Sequence, residues 1–309
     1  MKYSPIVIIA FNRLNVLKNT VKSLLENPES AESDLFVFVD GAREYEEGEK
    51  EKVQAVQDYV KTIKGFKSLT YTFSEKNKGL ANSVIDASTE ILKMYDRVIL
   101  VEDDLYCSKS FLCYMNMMLN MYEHDNRIMQ VSGYSSKLHL HKSYPWEIYL
   151  SGRAHSWSWA TWKDRWDTVD WEVRDFDQLA KNKKAISAFN TYGSDLFGML
   201  KGWKEKHNNS WYIRFNYSMH KQGRYCICPI KSLVRNDGFG IEATNCFSYD
   251  RYKITFDEEH KWEFKVPDRC DDLKPNRLLM KYAVRYWSIP YRIFGKIMTI
   301  LTRYFNIKS

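Results

Sequence analysis

The sequence predicts an α/β fold built on a mostly parallel sheet with helices on both faces. Strand-like and helix-like segments alternate through the first hundred residues, the strand-like segments are largely apolar, and charged residues follow their ends. Apolar runs of this kind are typical of parallel strands that are covered on both faces. Alternating strands and helices require crossover connections, which place the strands side by side in one parallel sheet.

Each of the first three predicted strands is followed by a helix with apolar residues at helical spacing. In chain order the elements are a strand at 6–10, a helix at 14–25, a strand at 35–39, a helix at 46–63, a strand at 69–73, a helix at 80–92, a strand at 98–101 and a helix from near Ser108. We expect residues 1–125 to form a nucleotide-sugar-binding half and 126–273 an acceptor-binding half of the same domain, with 274–309 as a helical tail.

Beyond the fourth strand the alternation is lost, and short strands and loops are expected. This part contains a tryptophan-rich segment, residues 156–171, which carries five tryptophans. Trp159, Trp162 and Trp166 have the spacing of one helix face, so a helix packed inward is one interpretation. Trp157 lies outside that spacing and is expected to face a sugar cleft, because aromatic rings often form platforms for ring-shaped ligands.

Charged residues follow the ends of all four predicted strands. Arg13 follows the first, Asp40 the second and Lys78 the third, while the fourth runs directly into three acids at 102–104. Because the carboxyl ends of parallel strands share one edge of a sheet, we expect these residues to converge there. Cations suited to phosphate, a carboxylate suited to a base or ribose, and an acidic cluster together indicate a nucleotide diphosphate site.

The acidic triplet Glu102, Asp103 and Asp104 points to a metal. Adjacent carboxylates repel one another, and Mg²⁺ or Mn²⁺ prefers oxygen ligands that it shares with substrate phosphates. The alternative is an acidic cap for the helix near Ser108, since carboxylates stabilise helix N-termini. A single acid is enough for a cap, so the metal is the favoured interpretation.

The distribution of charge separates the tail from the rest of the chain. The net charge is +7, and residues 274–309 carry eight lysines and arginines and no acid, so the remaining chain is nearly neutral. This pattern argues against a general nucleic-acid binder. Seven of these tail cations, all except Lys308, lie on one face of a helical wheel with apolar residues opposite, which predicts an interfacial helix on an anionic membrane, broken in two at Pro290. A pair of helices docked on the protein's own body is the alternative.

The expected location is the cytoplasm, peripheral on the inner face of the cell membrane. Residues 6–11 are too short for a signal peptide and have the pattern of a first strand. The six cysteines are expected to be reduced thiols. We expect the side chains of Cys226 and Cys228 to point to opposite faces of a strand, which makes a zinc site there improbable.

Taken together, these motifs resemble those of GT-A glycosyltransferases, in particular the N-acetylglucosaminyltransferase that initiates complex N-glycans and bacterial transferases of polysaccharide gene clusters. The resemblance covers about residues 4–245. It is carried by the segments at 10–13, 39–41, 77–80, 101–105, 156–162 and 238–240.

The resemblance implies transfer of a sugar from a nucleotide sugar, expected to be UDP-linked, to a glycan or lipid-linked acceptor, with Mn²⁺ or Mg²⁺ at the diphosphate. In this family the last acid of the triplet binds the metal, which implies Asp104 as ligand with Asp103 and Glu102 beside it. It also implies that Asp40 contacts the uracil edge and that Arg13 lies near uridine or phosphate. Trp157 and Trp159 are assigned to the sugar or acceptor pocket.

One position departs from the family pattern. An acidic residue is expected after Trp211, and Tyr212 stands there instead. The base that deprotonates the acceptor is therefore unassigned, with Asp195 and Asp237 as candidates. Two alternatives stay open: a non-catalytic glycan-binding or scaffold protein, and a nucleotidyltransferase, although the first strand lacks the Gly-rich phosphate loop usual in the latter class.

Overall fold

A computed structural model describes residues 2–238 and 253–305 of the 309-residue chain. The strands are β1 (Ile6–Ala10), β2 (Asp34–Val39), β3 (Ser68–Phe73), β4 (Arg97–Glu102), β5 (Leu105–Cys107), β6 (Ile128–Ser132), β7 (Ile148–Ser151), β8 (Trp159–Trp162), β9 (Tyr225–Pro229) and β10 (Val234–Asn236). The helices are α1 (Leu14–Leu25), α2 (Glu49–Val60), α3 (Leu80–Met94), α4 (Phe111–Met121), α5 (Lys163–Trp166), α6 (Phe176–Lys181), α7 (Lys183–Phe189), α8 (Leu196–Lys204), α9 (Trp211–Lys221), α10 (Arg277–Ala283) and α11 (Ile289–Phe305).

The predicted α/β fold with a large, mostly parallel sheet is confirmed. In the described residues the main sheet has the strand order β3-β2-β1-β4-β8-β6-β9-β7. Neighbours from β3 to β4 are parallel, as are β6 and β9, whereas β8 and β7 are antiparallel to their neighbours. The first four strands therefore end at one edge, and the same sheet continues into the second half of the chain.

Helices cover both faces of this sheet, as the apolar strands require. Every residue of β1 is buried. One face packs against apolar residues of α1, α2 and α4, and the other against those of α3, α5 and α9. Because both faces are occupied, the edge formed by the strand ends is the place where polar side chains meet a cavity.

Trp159–Trp162 of the tryptophan-rich segment form strand β8 and only Lys163–Trp166 are helical, so the interpretation of the spacing as one helix face is wrong. Trp159 pairs with Leu100 of β4 and with Ser132 of β6, and the strand ends where α5 begins. Pairing on both sides determines the backbone conformation there. The spacing of Trp159 and Trp166 reflects packing in the core, where their rings stack at a centroid distance of 5.7 Å.

The expectation for Cys226 and Cys228 is also wrong. Side chains alternate along a strand, so residues two apart lie on the same face. In β9 the two sulfur atoms are 3.7 Å apart, and both side chains are fully buried. All cysteines in the described residues are free thiols.

The tail is helical and divided near Pro290, as predicted. Pro290 is the second residue of α11, where its missing N–H has no helical partner to lose. Met280, Tyr286 and Trp287 are buried, so the part before α11 packs on the body. Within the described ranges, no helix combines the length and apolar character needed to cross a bilayer.

Candidate active site

A cavity of about 780 Å³ lies at the carboxyl edge of the parallel strands. One side, called here the acidic half, is lined by Arg13, Asp40, Glu102, Asp103 and Asp104. A second set of lining residues, called the aromatic half, is connected by mutual contacts and comprises Tyr134, Trp157, Tyr212 and Trp287 together with Arg153, His155 and Asp195. The cavity thus brings together residues from the first strand, the acidic triplet, the tryptophan-rich segment and the tail.

Arg13 contacts two of the three acids. Its Nη2 atom lies 2.5 Å from Asp103 Oδ1 and 3.0 Å from Asp104 Oδ2. Arg13 is the residue immediately before α1, so the end of β1 and the start of this helix carry it across to the end of β4. One guanidinium cannot neutralise three carboxylates, and an excess of negative charge remains at this edge when all three are ionised.

Burial and charge–charge contacts together shift the pKa values of this cluster. Burial raises the pKa of Asp103 to about 6, although Arg13 opposes the shift. Burial, followed by repulsion from Asp104 and Asp103, raises the pKa of Glu102 well above its ordinary value. Burial lowers the pKa of Arg13, but Asp103 and Asp104 outweigh it and the net shift is upward. A bound cation would relieve the repulsion.

The carboxylate oxygens of the acidic half are of the type that a hard divalent cation prefers as ligands. Among the described residues, no group of three or more His, Cys, Asp or Glu side chains is placed to hold a metal ion. Asp104 nevertheless presents carboxylate oxygens, one of which accepts a hydrogen bond from Asn236 Nδ2 at 3.2 Å. Mg²⁺ characteristically takes one or two protein carboxylates and completes its shell with phosphate and water.

Asp40 organises the loop between β3 and α3. Its Oδ1 accepts hydrogen bonds from the backbone N–H groups of Gly41 and Lys78 at 2.9 and 2.8 Å, and its Oδ2 accepts one from Gly79 at 2.9 Å. A Cβ on Gly41 would lie 2.5 Å from the Lys76 carbonyl carbon, so only glycine permits this approach. Asp40 therefore lines the cavity in a fixed orientation.

Lys78 lies in this loop and contacts Asp40 through its backbone N–H. Its Nζ lies 3.0 Å from Asp86 Oδ2 on α3, and its side chain does not line the cavity. The strand-end argument placed the residue correctly but not its side chain, because the backbone of the loop turns toward Asp40. The prediction that the Lys78 side chain converges with Arg13 is therefore wrong.

The aromatic half is organised by a buried ion pair. Arg153 donates from Nη1 and Nη2 to the two oxygens of Asp195, at 2.9 Å each. The guanidinium also lies 4.4 Å from the Trp287 ring centroid and 5.7 Å from that of Tyr212. Burial favours a raised pKa for Asp195, but Arg153 outweighs it and the net shift is downward.

Of the two tryptophans assigned to the pocket, the structure places only Trp157 at its wall. The Trp157 ring packs edge-on against Tyr134 at 5.0 Å. Trp159 is fully buried and its ring lies 5.0 Å from that of Trp211, so its assignment to the sugar pocket is corrected. Trp157 precedes β8, and Ser158 between the two tryptophans has a positive φ of 49°, so the backbone is not extended there and the two side chains do not share a face.

The second base candidate lies beside the acidic half. Asp237 Oδ1 accepts from Arg235 Nε at 2.9 Å, and its backbone N–H donates to the Asp104 carbonyl at 2.8 Å. Asp237 does not line the cavity. Antiparallel pairing of β10 with β5 brings this segment back over the triplet. Phe239 and Gly240 of the glycine-containing motif lie outside the described residues.

Sequence reasoning missed four residues of the aromatic half: Tyr134, Arg153, His155 and Trp287. Arg153 and His155 come just after β7, so their position after a strand could have indicated them. Trp287 lies in the tail, and no local pattern connects it with a cavity. Its ring lies 5.8 Å from that of His155, a contact that depends on how the tail packs on the body.

Comparisons with known proteins give structural likenesses only. No protein-family model matches the sequence, and no curated protein matches it. The chain is similar to S. aureus TarS, with a TM-score of 0.38 and 12% identity over 74% of this chain and 35% of that chain. It is similar to the crystal structure of S. aureus TarS 1-349, with a TM-score of 0.37 and 12% identity over 72% of this chain and 57% of that chain.

A UDP-glucose pyrophosphorylase complexed with UDP-glucose also has some likeness, with a TM-score of 0.35 and 8% identity. That alignment covers 73% of this chain and 90% of the pyrophosphorylase. The present chain spans 35% of the length of the longer TarS chain.

Proposed function

We propose that this protein is a metal-dependent GT-A glycosyltransferase that transfers a sugar from a UDP-linked donor to a glycan or lipid-linked acceptor in bacterial surface polysaccharide synthesis. One observation carries the proposal: a single cavity joins an acidic, arginine-bearing half at the strand ends to an aromatic half. The first suits a nucleotide diphosphate with its cation, and the second suits sugar rings.

The acidic half would hold the donor. Asp104 would be the metal ligand, with Asp103 and Glu102 beside it, and Arg13 would contact uridine or phosphate. The Mn²⁺ or Mg²⁺ would stabilise the negative charge that develops on the leaving diphosphate. Asp40 Oδ2 accepts one hydrogen bond from the loop, so it keeps acceptor capacity for an N–H of uracil.

The aromatic half would hold the acceptor, with Trp157, Tyr212 and Trp287 as its walls. Transfer requires that the acceptor hydroxyl lose its proton as it attacks the sugar. We assign Asp195 as the base over Asp237, because Asp195 lines the cavity and Asp237 does not. Arg153 keeps the Asp195 carboxylate ionised, the state in which it can accept a proton, although the same contact lowers its proton affinity.

A glycan-binding protein without catalytic activity is the second candidate, and the Arg153–Asp195 ion pair favours it. Tyr212 occupies the position at which the related transferases have an acid, and both oxygens of Asp195 already accept from Arg153. Release of UDP from a UDP-sugar, dependent on Mn²⁺ and without added acceptor, separates the two. A catalyst would release UDP, and a binding protein would not.

The donor site is tested by thermal stabilisation, since a ligand that binds only the folded state raises its melting temperature. We expect UDP with Mn²⁺ to stabilise the wild type and not Asp104→Asn. Asp86→Asn is the matched control, because Asp86 is an exposed acid that pairs with Lys78 outside the cavity. Equal stabilisation of both variants would remove Asp104 from the metal site.

A further inference from the structure

Helix α11 presents an apolar face to solvent. Besides Tyr291, six of its large apolar residues are exposed: Ile289 (60%), Ile293 (55%), Phe294 (47%), Ile297 (50%), Ile300 (60%) and Leu301 (38%). On an α-helix they fall within one arc of about 140°. We call this set the apolar arc. Gly295 and Thr299, on the other side of the helix, are buried against the body.

Basic residues accompany the apolar arc, and acids are absent from its sequence. Lys296 is exposed and borders the arc on the helical wheel. From Leu273 to the end of the sequence there is no aspartate or glutamate, whereas residues 274–309 contain eight lysines and arginines. The charge that the tail contributes at this face is therefore of one sign, which is complementary to an anionic surface.

We propose that α11 lies in the interface of an anionic lipid membrane, with the apolar arc inserted between headgroups and Lys296 at the phosphate level. An amphipathic helix with a basic border has this binding mode. The 17-residue helix is about 25 Å long and would lie along the surface. Pairing with a second copy is disfavoured, because it would bring together two faces that carry only positive charge.

The arrangement differs from the one expected from the helical wheel alone. Arg292, counted there on the basic face, turns toward the body, where its Nη1 lies 3.5 Å from Ser194 Oγ. Packing of Gly295 and Thr299 selects which side of α11 faces inward. The surface left for lipid is thus the apolar arc, bordered by a cation, and the basic face is partly occupied by contacts with the body.

The membrane helix is joined directly to the cavity. Trp287 lines the aromatic half, and only Ser288 separates it from the start of α11. The Trp287 carbonyl accepts a hydrogen bond from Ser194 Oγ at 2.8 Å. A membrane-bound α11 would hold the aromatic half at a fixed position relative to the lipid surface. The inference rests on the proposed function in one respect: it selects a lipid-linked acceptor over a free glycan.

The test is co-sedimentation of the full-length protein with vesicles of phosphatidylcholine alone or mixed with phosphatidylglycerol in equal parts. We expect the Ile293→Ser/Ile297→Ser variant to bind the mixed vesicles at least roughly tenfold more weakly than the wild type. Lys296→Gln should weaken binding about fivefold, and only on vesicles that contain phosphatidylglycerol. These substitutions leave the tail before α11 in place. A chain that ends at Leu273 would lack that segment, which packs on the body.

The matched control is Met94→Ser/Trp262→Ser, which removes two exposed apolar side chains elsewhere on the surface. It should bind vesicles as the wild type does. Equal binding by the control and the Ile293/Ile297 variant would overturn the proposal. So would a wild-type dimer that the Ile293/Ile297 variant converts to monomer, without vesicle binding by either, because a second copy would then cover the arc.

UDP release in the absence of vesicles distinguishes this proposal from the function on which it rests. Ile293 and Ile297 do not line the cavity, so their substitution should leave metal-dependent UDP release unchanged. If the wild type releases UDP but does not bind vesicles, the membrane proposal alone is refuted. Absence of UDP release from the wild type would refute the catalytic function and leave the lipid-binding result standing.

Discussion

Arg153 and Asp195 form a two-point ion pair that is almost completely buried in the wall of the cavity. The pair connects the end of β7 to the start of α8, two elements that are distant in sequence. Gly193 makes the approach possible, since a Cβ there would lie 2.0 Å from Arg153 Nη1. The pair therefore links these two elements and places a positive and a negative charge side by side in the aromatic half.

Removing one member of this pair should cost more stability than replacing both. We expect Asp195→Ala to lower the free energy of unfolding by about 3 kcal/mol, because Arg153 is left buried without its counter-charge. The double variant Arg153→Met/Asp195→Leu should lose less, as measured by urea denaturation. A double variant as unstable as the sum of both single variants would mean that the pair has no mutual compensation.

The same pair should make the protein sensitive to acid. The pKa of Asp195 is lower in the folded chain than its ordinary value, so the folded state releases this proton more readily than the unfolded state does. The stabilisation is complete above the unfolded pKa of about 4 and is lost as pH falls through the folded value.

The measurement compares unfolding free energies at about pH 7 and about pH 3. Wild-type protein should lose more stability over this range than Arg153→Met/Asp195→Leu, which lacks the titrating carboxyl. Identical losses in the two proteins would show that other carboxyls account for the acid sensitivity.

Trp157 and Trp159 should respond oppositely to substitution, although they are two residues apart. Trp159→Ala should lower the free energy of unfolding by about 3–5 kcal/mol, because it opens a cavity in the core. Trp157→Ala should change stability little and weaken acceptor binding about five- to tenfold, because its ring is at the cavity wall. Calorimetric unfolding and acceptor titration provide the two measurements. A large stability loss with normal acceptor binding for Trp157→Ala would place that ring in the core as well.

The sequence is sufficient to predict the first half of the fold because β1, β2 and β4 are continuous apolar runs. β1 and β4 are buried on both faces and are followed by charged residues at the same edge. That placement brings Arg13 to Asp103 and Asp104, and it depends only on the strands being parallel. Local sequence and global topology agree in this half.

The second half is not predictable from local patterns because tertiary pairing determines it. The spacing of Trp159 and Trp162 fits one helix face, yet strand pairing with β4 and β6 gives this segment its conformation. Contacts between Arg153 and Trp287 join segments separated by more than a hundred residues. No periodicity links such residues, so the aromatic half emerges only from the folded chain.

The last prediction concerns the close approach of the β10 segment to the acidic triplet. A Cβ on Gly238 would lie 2.3 Å from Asp104 Oδ2 and 2.8 Å from Asp104 Cβ, so Gly238→Ala must displace the carboxylate or the segment. We expect metal-dependent UDP binding to weaken roughly tenfold, since small displacements of a binding group have large effects. Gly198→Ala is the matched control, because a Cβ there meets no atom within 4 Å. Titration calorimetry with UDP and Mn²⁺ compares the two, and unchanged affinity in Gly238→Ala would separate Asp104 from the donor site.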